Sequence, residues 1–262
     1  MDSLRMKYNP EGSQLRKAQL RMLEMMIFLD TTCKKYNIPY WLDCGTLIGA
    51  VRHKGFIPWD DDVDIGMMRK DVKRFIKAVE KEQHPNFVIQ TKKNDFHFMQ
   101  DWPVLRDLKS EYIQHTVLHN VRKYRGLQID IFPFEKGMIK TFMKIGDEIT
   151  YIKNNDIEKK QLKKAHFIDF ICDYFIYPCW RLLGLLKVHQ NKYAASYGTL
   201  YPTVFIDKPT LFPLKEIEFE GHYFLAPNNA NKYLTQYYGP NYMDIPPEND
   251  RKTHTTEIKM YF

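Results

Sequence analysis

Four carboxylates crowd into Asp60-Asp61-Asp62-Val63-Asp64, where a run that alternates like a β-strand, Val63-Asp64-Ile65-Gly66-Met67, begins. Successive strand side chains point to opposite faces, so Asp62 and Asp64 share one face while Val63 and Ile65 share the other. The chain must therefore bury one side of this strand and hold two like charges together on the other. Such charges repel unless a cation neutralises them or a proton is shared, and hard oxygen ligands select Mg2+ or Mn2+. A solvated acidic turn, the commoner fate of a charge run, would leave Val63 and Ile65 without a buried face. A calcium loop would need Gly at its sixth position and Glu at its twelfth, where this chain has Ile65 and Asp71.

A second acidic strand matches the first. In Leu127-Gln128-Ile129-Asp130-Ile131-Phe132, Ile129 and Ile131 can face a core while Asp130 points the other way, beside Asp62 and Asp64 if the strands are neighbours. Three acids on one sheet face can hold two metal ions, or one metal plus a base for an attacking hydroxyl. Upstream, Tyr40 to Asp43 reads as a short strand and Gly45-Thr46 opens a helix. Gly permits close backbone approach there, and a helix N-terminus offers free N–H groups to a phosphate. Arg52, His53 and Lys54 follow one helical length later and bring positive charge toward the acids. Of these, Arg52 suits phosphate best, because its donors form a fixed fork.

The 262 residues, 44% hydrophobic and 15% aromatic, suffice for a substantial core and exclude long disorder. A helix is expected from Ser13 to Tyr36, a second over Asp71 to Glu82, and strands at Phe87 to Gln90, Val104 to Asp107, Glu111 to Gln114 and Leu127 to Phe132. Helices over Lys140 to Lys153 and Gln161 to Lys192 follow, separated by Asn154-Asn155-Asp156. A hairpin turning at Gly221 and a helix from Asn229 to Gly239 come last. The expected fold class is α/β (α+β): a mixed sheet flanked by helices, with an additional helical region. The expected domains are a catalytic core over 1–135, a helical acceptor-side region over 136–211, and a C-terminal hairpin and helix over 212–262 that pack back on the core.

With 39 Lys plus Arg against 32 Asp plus Glu, the net charge of +7 favours anionic partners. The basic residues are dispersed and no RNA-binding aromatic motif occurs, so nucleic acid is not expected. Cys33, Cys44, Cys172 and Cys179 form no CxxC pair and read as buried thiols of a reducing compartment. The first residues lack the apolar run of a secretory signal, so a cytoplasmic location is the default. Phe167 to Leu186 is the most apolar stretch, yet Asp169, Asp173 and Arg181 interrupt it and Pro178 would break a helix. A charge at the bilayer centre costs roughly 2.5–3.5 kcal/mol, which argues against a membrane span. A buried or acceptor-facing helical pair is favoured over a membrane-surface helix. His115 and His119 stand four apart without the intervening Glu of a zinc hydrolase and read as surface residues.

The stretch Leu42-Asp43-Cys44-Gly45-Thr46-Leu47-Ile48-Gly49-Ala50-Val51-Arg52-His53-Lys54-Gly55-Phe56-Ile57-Pro58-Trp59-Asp60-Asp61-Asp62-Val63-Asp64-Ile65 resembles the signature of the LicD family, of the nucleotidyltransferase-fold superfamily. Gly126 to Pro133 and Phe219-Glu220-Gly221, continuing to Tyr238-Gly239 and Tyr242-Met243, resemble it as well. The poorly matched part is Lys136 to Leu211. The resemblance implies a phosphocholine or related phospho-alcohol transferase, similar to the fukutin-related ribitol-phosphate transferases. It implies Asp62, Asp64 and Asp130 as metal ligands for Mg2+ or Mn2+, and Gly45-Thr46 as the cradle of the donor phosphate. Arg106 falls where relatives carry a basic residue. The implied donor is CDP-choline or a similar CDP-activated alcohol, and the implied acceptor is a hydroxyl of a cell-surface glycan or glycolipid precursor. Work at the inner face of the cytoplasmic membrane, by peripheral association, fits that acceptor. A choline cation would want an aromatic cage, for which Tyr40, Trp41, Trp59 and Trp102 are candidates. The alternatives are a nucleotidyltransferase that attaches a nucleotide to a small molecule or RNA, and a non-catalytic binding protein that kept the fold.

Overall fold

A computed structural model describes residues 3–114, 116–186, 192–251 and 253–261; His115 therefore lies outside the described residues. A short helix, α1 (Ser3–Tyr8), precedes α2 (Gln14–Tyr36). The Ser13 hydroxyl accepts from the Arg16 amide at 3.1 Å to start α2, and Asn37, in the left-handed conformation, ends it. Then come β1 (Trp41–Leu42), α3 (Cys44–His53), β2 (Val63–Met68), α4 (Arg69–Glu82), β3 (Phe87–Gln90), β4 (Val104–Asp107), β5 (Ser110–Ile113) and β6 (Gln128–Lys136). A helical layer follows: α5 (Lys140–Glu158), α6 (Leu162–Ile171), a π turn (Cys172–Ile176) and α7 (Tyr177–Leu185). The chain returns through β7 (Lys192–Ala195), β8 (Ile206–Asp207) and α8 (Lys208–Leu211), then closes with β9 (Lys215–Phe219), β10 (His222–Ala226), α9 (Ala230–Tyr238) and β11 (Glu257–Met260).

The longest strand, β6, is the spine of a seven-stranded mixed sheet, in the order β1-β2-β6-β4-β3. Along one edge β6 pairs with β2 in parallel; along the other, its first half pairs with β4 and its last three residues with β7, both antiparallel. Val63, Ile65, Ile129 and Ile131 are almost completely buried on one face, and each such side chain contributes roughly 1.5–3 kcal/mol relative to exposure. The same core takes in Leu29, Phe75, Phe219 and Leu234, so α2, α4, the β9–β10 hairpin and α9 all pack on it. Gly66 admits the indole of Trp41 from the paired strand: a Cβ there would lie 2.1 Å from Trp41 Nε1.

Four expectations are corrected. The break at Asn154-Asn155-Asp156 is absent, because α5 runs on to Glu158 and the chain turns only at Lys160, whose φ is +60°. Lys192, read as the end of a helix, instead opens β7, which with β8 joins the main sheet. Pro178 does not stop the helix: it directly follows the π turn, whose shifted register accommodates the missing N–H within a continuous helical stretch. The apolar pair is not buried either, since Phe167, Tyr174 and Leu186 are 64%, 69% and 75% exposed.

Candidate active site

The parallel register sets Asp64 directly beside Asp130, with Val63 beside Ile129 and Ile65 beside Ile131. Asp62 precedes Asp64 by two residues on the same face, and one carboxylate oxygen from each of Asp62, Asp64 and Asp130 lies within 4.8 Å of the others. Burial pushes all three carboxyls up, Asp62 to about 6 and Asp64 well above the ordinary range, and for Asp62 and Asp64 repulsion by the neighbouring acids adds to it. Asp130 is buried and Asp62 and Asp64 half-buried; three adjacent acids that resist ionisation are a donor set in want of a cation, and oxygen-only ligation fits Mg2+ or Mn2+.

Each acid is oriented from a different element. Trp102 Nε1–H donates to Asp130 Oδ1 at 2.9 Å, and Gln128 Nε2–H to Oδ2 at 3.0 Å. The Asp64 amide donates to Thr46 Oγ1 at 2.9 Å, which ties the first turn of α3 to the start of β2. Buried Asp43 caps α3 by accepting from the Cys44 amide, accepts from Tyr233 O–H at 2.8 Å, and donates its own amide to the Asp64 carbonyl. Asp61 is otherwise engaged: its carboxylate accepts backbone N–H bonds from His254 and Thr255. The same C-terminal segment brings His254 Nε2 to 3.5 Å from Asp62. Asp60 crowds Gly45 so closely that a Cβ on that glycine would lie 3.0 Å from its Oδ2.

Beside the trio opens a cavity of about 450 Å3 whose lining includes Trp102, Arg122, Lys153, Gly198 and His254. The Arg122 side chain faces this cavity with its Nε buried and unbonded, and makes no hydrogen bond or ion pair among the described residues. Lys153, by contrast, is buried and bonded to Asp101, Asp169 and the Met99 carbonyl.

Of the residues singled out in sequence, Asp62, Asp64, Asp130, Gly45 and Thr46 converge. Arg52 lies on the far end of α3, donating to His53 Nε2 and to the Asp244 carbonyl. Arg106 does not face any substrate space: it is 2% exposed and donates to Gln90, the Gly126 carbonyl and Gln128. The cage also changes, because Tyr40, Trp41 and Trp59 are core residues and only Trp102 reaches the cavity. His119 is buried and lies 3.5 Å from Glu111, and Cys179 is exposed rather than buried. Arg122 and His254 carried no local signal, since each reaches the site through a loop without periodicity; Trp102 reads in sequence only as a cage candidate, not as a partner of Asp130.

The family model for the LicD/FKTN/FKRP nucleotidyltransferase domain matches residues 37–179. A lipopolysaccharide cholinephosphotransferase LicD from Haemophilus influenzae is 30% identical over 92% of this chain and 95% of its own length. Two shorter matches are to the human ribitol 5-phosphate transferase FKRP, 54% identical over 36 residues (14% of this chain, 7% of that protein), and the mouse ribitol-5-phosphate transferase FKTN, 38% over 53 residues (20% and 12%).

Proposed function

The chain belongs to the LicD family, and from that premise we propose that it is a metal-dependent transferase that moves phosphocholine or a related phospho-alcohol from a CDP-activated donor to a glycan or glycolipid hydroxyl. The observation that carries this reading is the in-register pairing of Asp64 with Asp130, Asp62 beside them, next to a cavity lined by their partners Trp102 and His254. The relatives' names support the class of group transferred: a cholinephosphotransferase in one case and ribitol-phosphate transferases in the others.

Asp62, Asp64 and Asp130 hold the divalent cation, most simply Mg2+ or Mn2+. When bound, that ion supplies neutralisation of the diphosphate and of the departing CMP. The first turn of α3 offers the Gly45 and Thr46 amides and the positive end of its dipole to the donor phosphates. Arg122, whose guanidinium stacks on Phe98 and makes no hydrogen bond or ion pair among the described residues, binds the same anion from the cavity side. Trp102 and Gln128 fix the Asp130 carboxylate. The acceptor hydroxyl enters from the cavity and attacks the phosphorus that bears the alcohol. Its proton passes to a carboxylate of the cluster, the phosphoanhydride bond breaks, and CMP leaves. The helical layer within 136–211, whose α5 lines the cavity, serves the acceptor side.

The test is incubation with CDP-choline labelled on the alcohol, and separately with labelled CTP and ATP, in the presence of Mg2+ and a lipo-oligosaccharide acceptor. Choline label in the acceptor with stoichiometric CMP is expected. Nucleotide label in any product would establish the nucleotidyl-transfer alternative instead.

A further inference from the structure

We infer that the outer face of α6, the π turn and α7 is a docking surface for an anionic lipid bilayer. From Leu162 to Leu185 these elements form one continuous helical stretch. Its buried positions, Ala165, Asp169, Cys172, Tyr177 and Gly184, recur at intervals of four, three, five and seven. The interval of five falls on the π turn, so the extra residue there keeps one face inward around Pro178. On the opposite face Phe167, Phe170, Tyr174, Phe175, Leu182 and Leu186 are all at least half exposed, between 50% and 75%. A soluble surface rarely leaves so long an aromatic and aliphatic stripe uncovered.

The charges decide the occupant. The charged groups of this stretch that could oppose a lipid surface are paired: Asp169 with Lys153 and Lys92, Asp173 with Lys92 at 2.9 Å, and Arg181 with Glu135 at 2.9 Å. Immediately before the apolar stripe, Glu158-Lys159-Lys160-Gln161-Leu162-Lys163-Lys164 carries four lysines against one glutamate. Lys164 is bonded to Asp156, while Lys159, Lys160 and Lys163 are exposed and pair with no carboxylate among the described residues. Apolar residues on one face with unpaired lysines at the end is the pattern of a helix lying in a headgroup layer. A second copy of the chain would be a poorer occupant, since an isologous contact brings both sets of lysines into one interface on chains already at +7. No helix of the described residues is long and apolar enough to cross a membrane, so the contact is lateral.

Flotation of the full chain with vesicles tests this, comparing phosphatidylcholine alone with a mixture containing phosphatidylglycerol. Retention on the anionic vesicles is expected, weakened when salt rises from about 0.1 M to 1 M and the screening length falls to roughly 3 Å. The triple change Phe170→Ser, Tyr174→Ser and Phe175→Ser should weaken it by at least about tenfold with an unchanged melting temperature. If that variant does not fold, Lys159→Glu with Lys163→Glu should give a comparable loss. Failure of the wild type to float, equal flotation of the folded variants, or a concentration-dependent dimer abolished by the same changes would each overturn the inference. Vesicle binding needs neither the acids nor a donor, so its failure leaves the transferase reading standing, and an inactive enzyme leaves this one standing.

Discussion

Asp64→Asn removes one charge from the acidic trio and separates catalysis from stability. Burial and repulsion already hold the Asp64 carboxyl well above its usual range, so the neutral amide relieves the metal-free protein. Its melting temperature in chelator at pH 8 should equal or exceed that of wild type, while transfer falls by at least about 100-fold, beyond what loss of an outer partner of a ligand produces. Trp102→Phe keeps the ring but deletes the N–H held by Asp130, and should lower metal affinity by roughly 10–100-fold, read by Mn2+ titration. Arg122→Met should raise KM for the CDP donor by about tenfold or more with kcat less affected, because a guanidinium with no carboxylate partner among the described residues is lost at an anion site. The trio was legible in sequence because strand alternation alone assigns each acid to a face. Arg106 and Trp41 were misread for the opposite reason: a basic or aromatic residue in a strand has the same local pattern whether it faces a ligand or a core. Arg106 is buried because Gln128, its register partner on β6, and Gln90 on β3 satisfy its donors.

At the scale of elements, the helical layer is fastened to the sheet by charge. Lys153 on α5 and Lys92 after β3 share Asp101 and Asp169 in a largely buried cluster. Lys153→Met would leave those carboxylates with a single cation, and removing one partner of a buried pair typically costs about 3–5 kcal/mol. A matching fall in unfolding free energy by urea titration is expected, with loss of transfer following because Asp101 adjoins Trp102. The long elements could be read in advance where caps and period agree, as in α2 between Ser13 and Asn37. Elements that depend on distant partners could not. β7 is four residues long, with no alternation, and exists because Phe134 to Lys136 offer it an unpaired edge. The run through Asn154 to Asp156 stays helical because Asp156 is buried and bonded to Lys164, which outweighs its weak helix preference.

For the whole molecule, the acids make stability depend on pH and on cation together. Asp43 and Asp62 rise to about 6, and Asp60, Asp61, Asp64 and Asp130 also lie above their ordinary values, burial being the first cause in each. A group whose folded pKa lies above its unfolded value stabilises below the unfolded pKa and loses that contribution as pH climbs through the folded one. For Asp62, from 3.8 to about 6, the loss is roughly 3 kcal/mol. His84, His119 and His166, lowered by burial, oppose this trend below their ordinary pKa of 6.5, so the informative quantity is the increment on adding cation. Saturating Mg2+ should raise the melting temperature by roughly 5–10 °C at pH 7.5 and by much less at pH 5, by calorimetry. One further consequence lies in β6. Lys136 leaves the sheet opposite Tyr193, so the helical excursion departs and re-enters at hydrogen-bonded neighbours. The ladder has already closed that loop, and lengthening or shortening it alters the closure entropy only logarithmically. Evolution or a protein engineer can therefore exchange the excursion for one of another size, shaped to a different recipient, while the three aspartates stay where they are.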